Sequence, residues 1–223
     1  MRIPVSPTLA QRDLDPPPVS QLKSPFEEEF RAFALAEARV PPPRNAVLFY
    51  GSSSIRLWDT LAADFPGLPA INRGFGGSTL AECVREMERL VFPLQPRAIV
   101  LYAGDNDLDH GATPEQVQKL FQEFMRRLEE RLGAVPVVLI SIKPSPARLA
   151  NLSNIRRANT LLRESTATWP QVRWLELFSL MLHPDGKVRR EFFTGDGVHL
   201  SRAGYRLWAD QLRAVLAETG LPR

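Results

Sequence analysis

Apolar residues follow two different patterns along this chain. In one, they form short continuous runs: AVLFY at residues 46–50, AIVLY at 98–102 and VPVVLISI at 135–142, with weaker runs at 70–72 and 172–175. Continuous rather than alternating apolar runs predict strands buried on both faces, as in a parallel sheet. In the other, apolar residues recur every three or four positions. Thr113-Pro114-Glu115-Gln116 has the form of a capping box with proline at the first helical position, and Val117, Leu120, Phe121, Phe124, Met125, Leu128 and Leu132 follow it at helical spacing. A last helix is expected after Ser201, with Trp208, Leu212 and Val215 on one face. A first helix is expected from Ser24-Pro25-Phe26-Glu27, which also reads as a capping box, ending before Pro41-Pro42-Pro43. This strand–helix alternation predicts one doubly wound α/β domain over residues 22–223, preceded by a proline-rich arm at 1–21 with no core of its own.

Composition narrows the function. The 223 residues are 44% hydrophobic and 24% charged, as in an ordinary globular domain. The net charge of +3 is small and the two signs are interspersed, so no nucleic-acid partner is expected. A single cysteine, Cys83, permits no intrachain disulfide, and with three histidines it cannot build a Cys/His zinc cluster. No run approaches the roughly 18 apolar residues of a membrane span, and the N-terminus lacks the apolar core of a signal peptide. The expected location is therefore cytoplasmic. The arm leaves room for a homo-oligomer.

In doubly wound sheets the ligand lies beyond the carboxyl ends of the strands. Small and polar residues gather there: Gly51-Ser52-Ser53-Ser54 after the first run, Asn72 to Thr79 with three glycines after the second, Gly104-Asp105-Asn106-Asp107 after the third, and Asp196-Gly197-Val198-His199 after the fifth. A hydroxyl becomes a nucleophile only when a base takes its proton. His199 is the candidate base, and Asp196, three residues before it, is placed to hold its tautomer. Acyl transfer also needs donors for an oxyanion, which Gly77 and Asn106 are placed to supply.

These four segments, in this order, resemble the SGNH or GDSL-like hydrolases, closest to the branch of the platelet-activating-factor acetylhydrolase catalytic subunits and related bacterial esterases. The resemblance runs from about Ala46 to the C-terminal helix. It implies a flavodoxin-like three-layer α/β/α sandwich on a five-stranded parallel sheet with strand order 2-1-3-4-5. It implies a catalytic set of Ser53, Asp196 and His199, and an oxyanion hole from Ser53 N–H, Gly77 and Asn106. The implied activity is a serine esterase acting through an acyl-enzyme on a small-molecule carboxylic ester, short-chain acyl or acetyl, with no cofactor and no metal. The chain departs from the family's Gly-Asp-Ser-Leu, carrying Gly51-Ser52-Ser53-Ser54 instead, so Ser53 is chosen by its place at the strand end. Lipids, thioesters, short alcohol esters and acetylated sugars all stay open as substrates. Activity is expected to fall on the acid side of neutrality, because an imidazole base must be neutral.

Plainer readings compete. A Gly-Ser-Ser turn is usually only a turn. Gly74-Phe75-Gly76-Gly77 lacks dinucleotide-binding spacing, and Gly74 and Gly76 are expected to serve backbone freedom. Asp105, Asp107 and Asp109 suggest a calcium loop, but His110 and Gln116 stand where it needs Gly and Glu. His110 and His183 are read as loop histidines, Cys83 as buried and inert, and the Arg126–Arg131 cluster as a solvated helix face. The alternative class is a non-catalytic flavodoxin-like domain binding a nucleotide or another ligand at the same crevice. Residues 143–150 and 178–193 are the loops expected to wall a pocket.

Overall fold

The computed structural model describes residues 24–218. The arm expected over residues 1–21 lies outside them. Five strands, β1 (Val47–Gly51), β2 (Ala70–Gly74), β3 (Ala98–Tyr102), β4 (Val137–Ile140) and β5 (Val172–Leu175), form one sheet in the order β2-β1-β3-β4-β5. Every neighbouring pair is parallel. The helices are α1 (Glu27–Arg39), α2 (Ser53–Arg56), α3 (Leu61–Asp64), α4 (Leu80–Arg85), α5 (Met87–Leu90), α6 (Asp105–Asp109), α7 (Pro114–Leu132), α8 (Leu152–Ser165) and α9 (Arg202–Glu218).

Alternate strand residues point to opposite faces, so each continuous apolar run feeds two cores. Leu48, Tyr50, Ile99, Leu101 and Leu139 pack with Phe30 of α1, Phe121 and Phe124 of α7 and Ile155 of α8. Val47, Phe49, Val100, Tyr102 and Ile140 pack on the other side with Trp58, Phe65 and, from α9, Trp208 and Leu212. α7 begins with the expected capping box at Thr113 and Gln116. No helix among the described residues is long and apolar enough to cross a membrane.

Two local expectations need correction. The capping box at Ser24 does not form: α1 starts at Glu27 behind Phe26, without a side-chain cap. Phe26 instead sets its ring edge-on to Phe75, 4.8 Å between centroids, and tertiary packing fixes the helix entry. β4 is also shorter than its apolar run, since Ile142 and Lys143 leave the ladder beyond Ile140.

β1 and β3 are central neighbours whose following segments lead to opposite faces of the sheet: α2 packs with the Trp58 core, and β3 leads to α6 and α7. The crevice between their carboxyl ends is the switch point of the topology.

Candidate active site

Gly51 makes the turn out of β1. Its φ is 140°, and a Cβ there would stand 1.8 Å from the carbonyl oxygen of Tyr102 on β3, so only glycine lets the two strand ends approach this closely. Ser52 then leads into α2, whose first residue is Ser53. The first N–H groups of a helix have no intrahelical acceptor, so Ser53 N–H is available to a ligand. The neighbouring Gly74 is required for close packing rather than for backbone freedom: its φ is unremarkable, and a Cβ would lie 2.1 Å from Arg56 N.

Of the three consecutive serines, only Ser53 meets an imidazole. Its Oγ lies 3.0 Å from Nε2 of His199, across 146 residues of chain. Ser53 keeps 9% of its surface exposed, against 1% for Ser52 and Ser54, whose buried hydroxyls find no hydrogen-bond partner among the described residues. The Ser54 carbonyl is held by Tyr205 Oη at 3.0 Å.

Nδ1 of His199 lies 2.6 Å from Oδ2 of Asp196. Asp196 Oδ1 accepts N–H bonds from Val198 at 2.8 Å and His199 at 3.0 Å, and the Thr194 hydroxyl at 2.8 Å. The backbone donors of His199 and Val198 hold this carboxyl well below the usual carboxylate range, so it stays ionised beside the imidazole. The same three-residue spacing separates Asp107 from His110. There the carboxylate turns away and accepts the N–H of Leu80 at 2.7 Å and of Ala81 at 3.4 Å, at the start of α4. Burial raises the Asp107 carboxyl, with these amides opposing it.

Gly77 sits at φ 71° in the turn after β2, and its N–H makes no hydrogen bond among the described residues. Ser78 ties this turn to the nucleophile strand by donating its hydroxyl to Gly51 O at 3.3 Å and Phe75 O at 3.1 Å. Asn106, on α6, donates from Nδ2 to Ser78 O at 2.8 Å. From the other side Glu29 of α1 accepts Gly76 N–H at 2.8 Å and pairs with Arg56 at 2.9 Å, bracing turn and α2 together.

Sequence reasoning missed a buried ionic cluster. Lys143 is 1% exposed, with Nζ 2.7 Å from Asp105 Oδ2 and 3.0 Å from Tyr102 Oη. Arg148 lies 3.0 Å from the same Asp105 oxygen and donates to Asn106 Oδ1 at 2.7 Å. A lysine at the end of a run of strand residues was the one signal in the sequence. Asp105 is therefore taken by cations of the chain itself. Among the described residues no group of three or more His, Cys, Asp or Glu could hold a metal ion.

The remaining singled-out residues take plain roles. Cys83 is buried on α4, and burial pushes its thiol far up. His183 closes a turn with Gly186 and Lys187. Arg126 pairs with Glu123 and Glu130 on the α7 surface, while Arg127 and Arg131 reach Glu88 on α5. Two clefts open at the strand ends. One, of about 460 Å³, is lined by Thr79, Asp107, His110 and Leu120. The other, of about 540 Å³, is lined by Pro146, Leu149, His183 and Arg190, from segments 143–150 and 178–193.

A family model for the GDSL-like Lipase/Acylhydrolase family matches residues 46–207. The chain belongs to that family. It is an ester-bond hydrolase on an α/β fold built around an all-parallel sheet. It is 30% identical over 182 residues, 76% of this chain and 74% of the relative, to the platelet-activating factor acetylhydrolase IB subunit alpha1 of Bos taurus. Among solved structures, a GDSL-like lipase from Bacteroides thetaiotaomicron superposes with a TM-score of 0.71 at 19% identity, covering 85% of this chain and 97% of that one. An acetyl xylan esterase superposes at 0.63 with 21% identity, covering 77% and 98%. These two likenesses bear on the fold of the GDSL-like hydrolase.

Proposed function

We propose that this GDSL-like hydrolase is a serine esterase for small acetyl or short-chain acyl esters, with Ser53 as nucleophile, His199 as base and Asp196 as the group that orients the imidazole. The observation that carries this reading is the 3.0 Å approach of Ser53 Oγ to His199 Nε2, with Nδ1 of the same ring 2.6 Å from Asp196. An ionised Asp196 favours the ring proton on Nδ1, which leaves Nε2 free to accept. His199 takes the Ser53 proton as Oγ bonds to the ester carbonyl carbon. The carbonyl π pair moves onto oxygen, which is met by the N–H groups of Ser53 and Gly77 and by Asn106 Nδ2. Collapse re-forms the carbonyl and breaks the bond to the alcohol, which leaves with the proton from Nε2. Water, deprotonated by His199, then adds to the acyl-enzyme. The acyl–Oγ bond breaks, the acid departs, and Ser53 recovers its proton.

The acyl preference rests on the 30% identical relative, an acetylhydrolase. The test is a panel of chromogenic esters graded in acyl length, with acetylated saccharides alongside, run on the parent and on Ser53→Ala and His199→Ala. Acetyl and other short esters should turn over fastest, and each substitution should lower kcat by at least about 10³-fold. Full activity in Ser53→Ala would overturn the assignment.

A further inference from the structure

We propose that Arg148 is a positioning residue: clamped by the buried Asp105–Lys143 pair, it fixes the Asn106 amide in the one orientation that can donate to an oxyanion. The inference rests on the role given to Asn106 above and deepens it. A primary amide has two donors on nitrogen and an acceptor on oxygen, and rotation by half a turn exchanges them. Here Oδ1 accepts from Arg148 Nη2 at 2.7 Å, and one N–H of Nδ2 goes to Ser78 O at 2.8 Å. The second Nδ2 hydrogen remains for a substrate oxygen. A guanidinium has donors only, so the exchanged amide would set N–H against N–H and lose the Ser78 bond as well.

The guanidinium is itself held by charge. Its Nη1 lies 3.0 Å from Asp105 Oδ2, the oxygen that Lys143 also approaches at 2.7 Å, and its Nη2 lies 3.3 Å from Asp109 Oδ2. All three central side chains are largely removed from water, at 11%, 3% and 1% exposure for Arg148, Asp105 and Lys143. Buried ion clusters seldom stabilise a fold more than apolar residues of the same volume would. Among the described residues this one makes no hydrogen bond to Ser53, His199 or Asp196, and its link to the proposed hole is the bond to Asn106 Oδ1. A cation on the amide oxygen also draws electron density from nitrogen, which strengthens the free N–H as a donor.

A double-mutant cycle tests this on the full chain with a chromogenic acetate ester: parent, Arg148→Met, Asn106→Ala and the pair, each checked for cooperative thermal unfolding. Asn106→Ala should lower kcat by about 10²–10³-fold. Arg148→Met should lower kcat on the order of ten- to a hundredfold with KM nearly unchanged, and the pair should be no slower than Asn106→Ala. An unchanged kcat in Arg148→Met, or a loss that persists in full on the Asn106→Ala background, would overturn the role of Arg148 while leaving Asn106 in place. An unchanged kcat in Asn106→Ala would remove the oxyanion reading and this inference with it. If Arg148→Met fails to fold, Arg148→Lys carries the same cycle. Its ammonium still donates to Oδ1, so the expected result is a smaller kcat loss that again vanishes in Asn106→Ala.

Discussion

At Asp196 a half-exposed carboxylate is held by four donors: the Thr194 hydroxyl, the N–H groups of Val198 and His199, and the His199 ring. Oxygen and nitrogen at this position are nearly the same size, so Asp196→Asn separates charge and tautomer from shape. Asn Oδ1 can keep the backbone donors. Its NH2 would then face Nδ1, which must become an acceptor, and the ring proton moves to Nε2, where it blocks the Ser53 proton. The expected loss in kcat is about 10²–10⁴-fold with little change in thermal midpoint, the lower end reflecting water access to an exposed pair. A loss below tenfold would show that His199 does not depend on Asp196 for its tautomer. These candidates could be named from the sequence because their segments follow the strands in the expected order, and Ser53 was chosen among the three serines by its place at the strand end. The approach of its hydroxyl to an imidazole 146 residues away could not be read there, because it depends on the turn at Gly51 and on distant packing. Arg148 was equally hidden, since its partner Asn106 lies 42 residues away on α6.

At the scale of elements, α1 precedes the segment matched by the family model and still reaches the site. Phe30 of α1 packs edge-on to Phe75 at 5.4 Å, Phe26 does the same at 4.8 Å, and Glu29 caps the Gly76 amide. Phe30→Ala should therefore cost about 3–5 kcal/mol, read as a lower urea midpoint at constant slope. Because α1 braces the Gly76–Gly77 turn, kcat should fall several-fold in the same variant at temperatures where it is still folded. A stability loss with kcat unchanged would mean that the turn keeps its shape without the helix. The existence of α1 could be read from the Ser24-Pro25-Phe26-Glu27 pattern and the prolines after it. Its first residue could not, because a local capping box competes there with aromatic packing onto Phe75, a contact made 49 residues later in the chain. The five strands were legible for the opposite reason: residues buried on both faces leave a continuous apolar signature whatever their partners are.

At the scale of the whole molecule, acid should undo the fold through a few carboxylates that tie distant segments together. Asp64 joins the α2–α3 region to α9. It accepts from Trp58 Nε1 at 2.8 Å and Thr60 Oγ1 at 2.6 Å, and pairs with Arg202 at 3.1 Å. Burial pulls its carboxyl up, but the hydrogen bonds from Thr60, Trp58 and Arg202 outweigh it and leave the group below its ordinary value. Asp105 is likewise lowered, burial being outweighed by Lys143 and Arg148, and Asp196 is lowered by the backbone amides of its turn. In each case the unfolded chain takes up a proton before the native chain does. The stabilisation is thus complete above the ordinary carboxylate range, near about pH 4, and is lost as pH falls through the native values. Asp107 opposes this: burial raises it, so the native chain holds its proton longer and gains stability relative to the unfolded chain as pH falls through that window. Asp64, Asp105 and Asp196, with the exposed Glu123, Asp185 and Glu191 lowered as well, stand against the raised Asp107 and predict a net fall in thermal midpoint on acidification below about pH 4. Asp64→Asn should lower stability at neutral pH by about 1–3 kcal/mol and flatten the acid limb of the midpoint curve, whereas Asp107→Asn should steepen it. The measurement is thermal unfolding of the three chains followed across the acid range. An Asp64→Asn limb as steep as the parent's would show that the link between α3 and α9 does not carry the acid sensitivity.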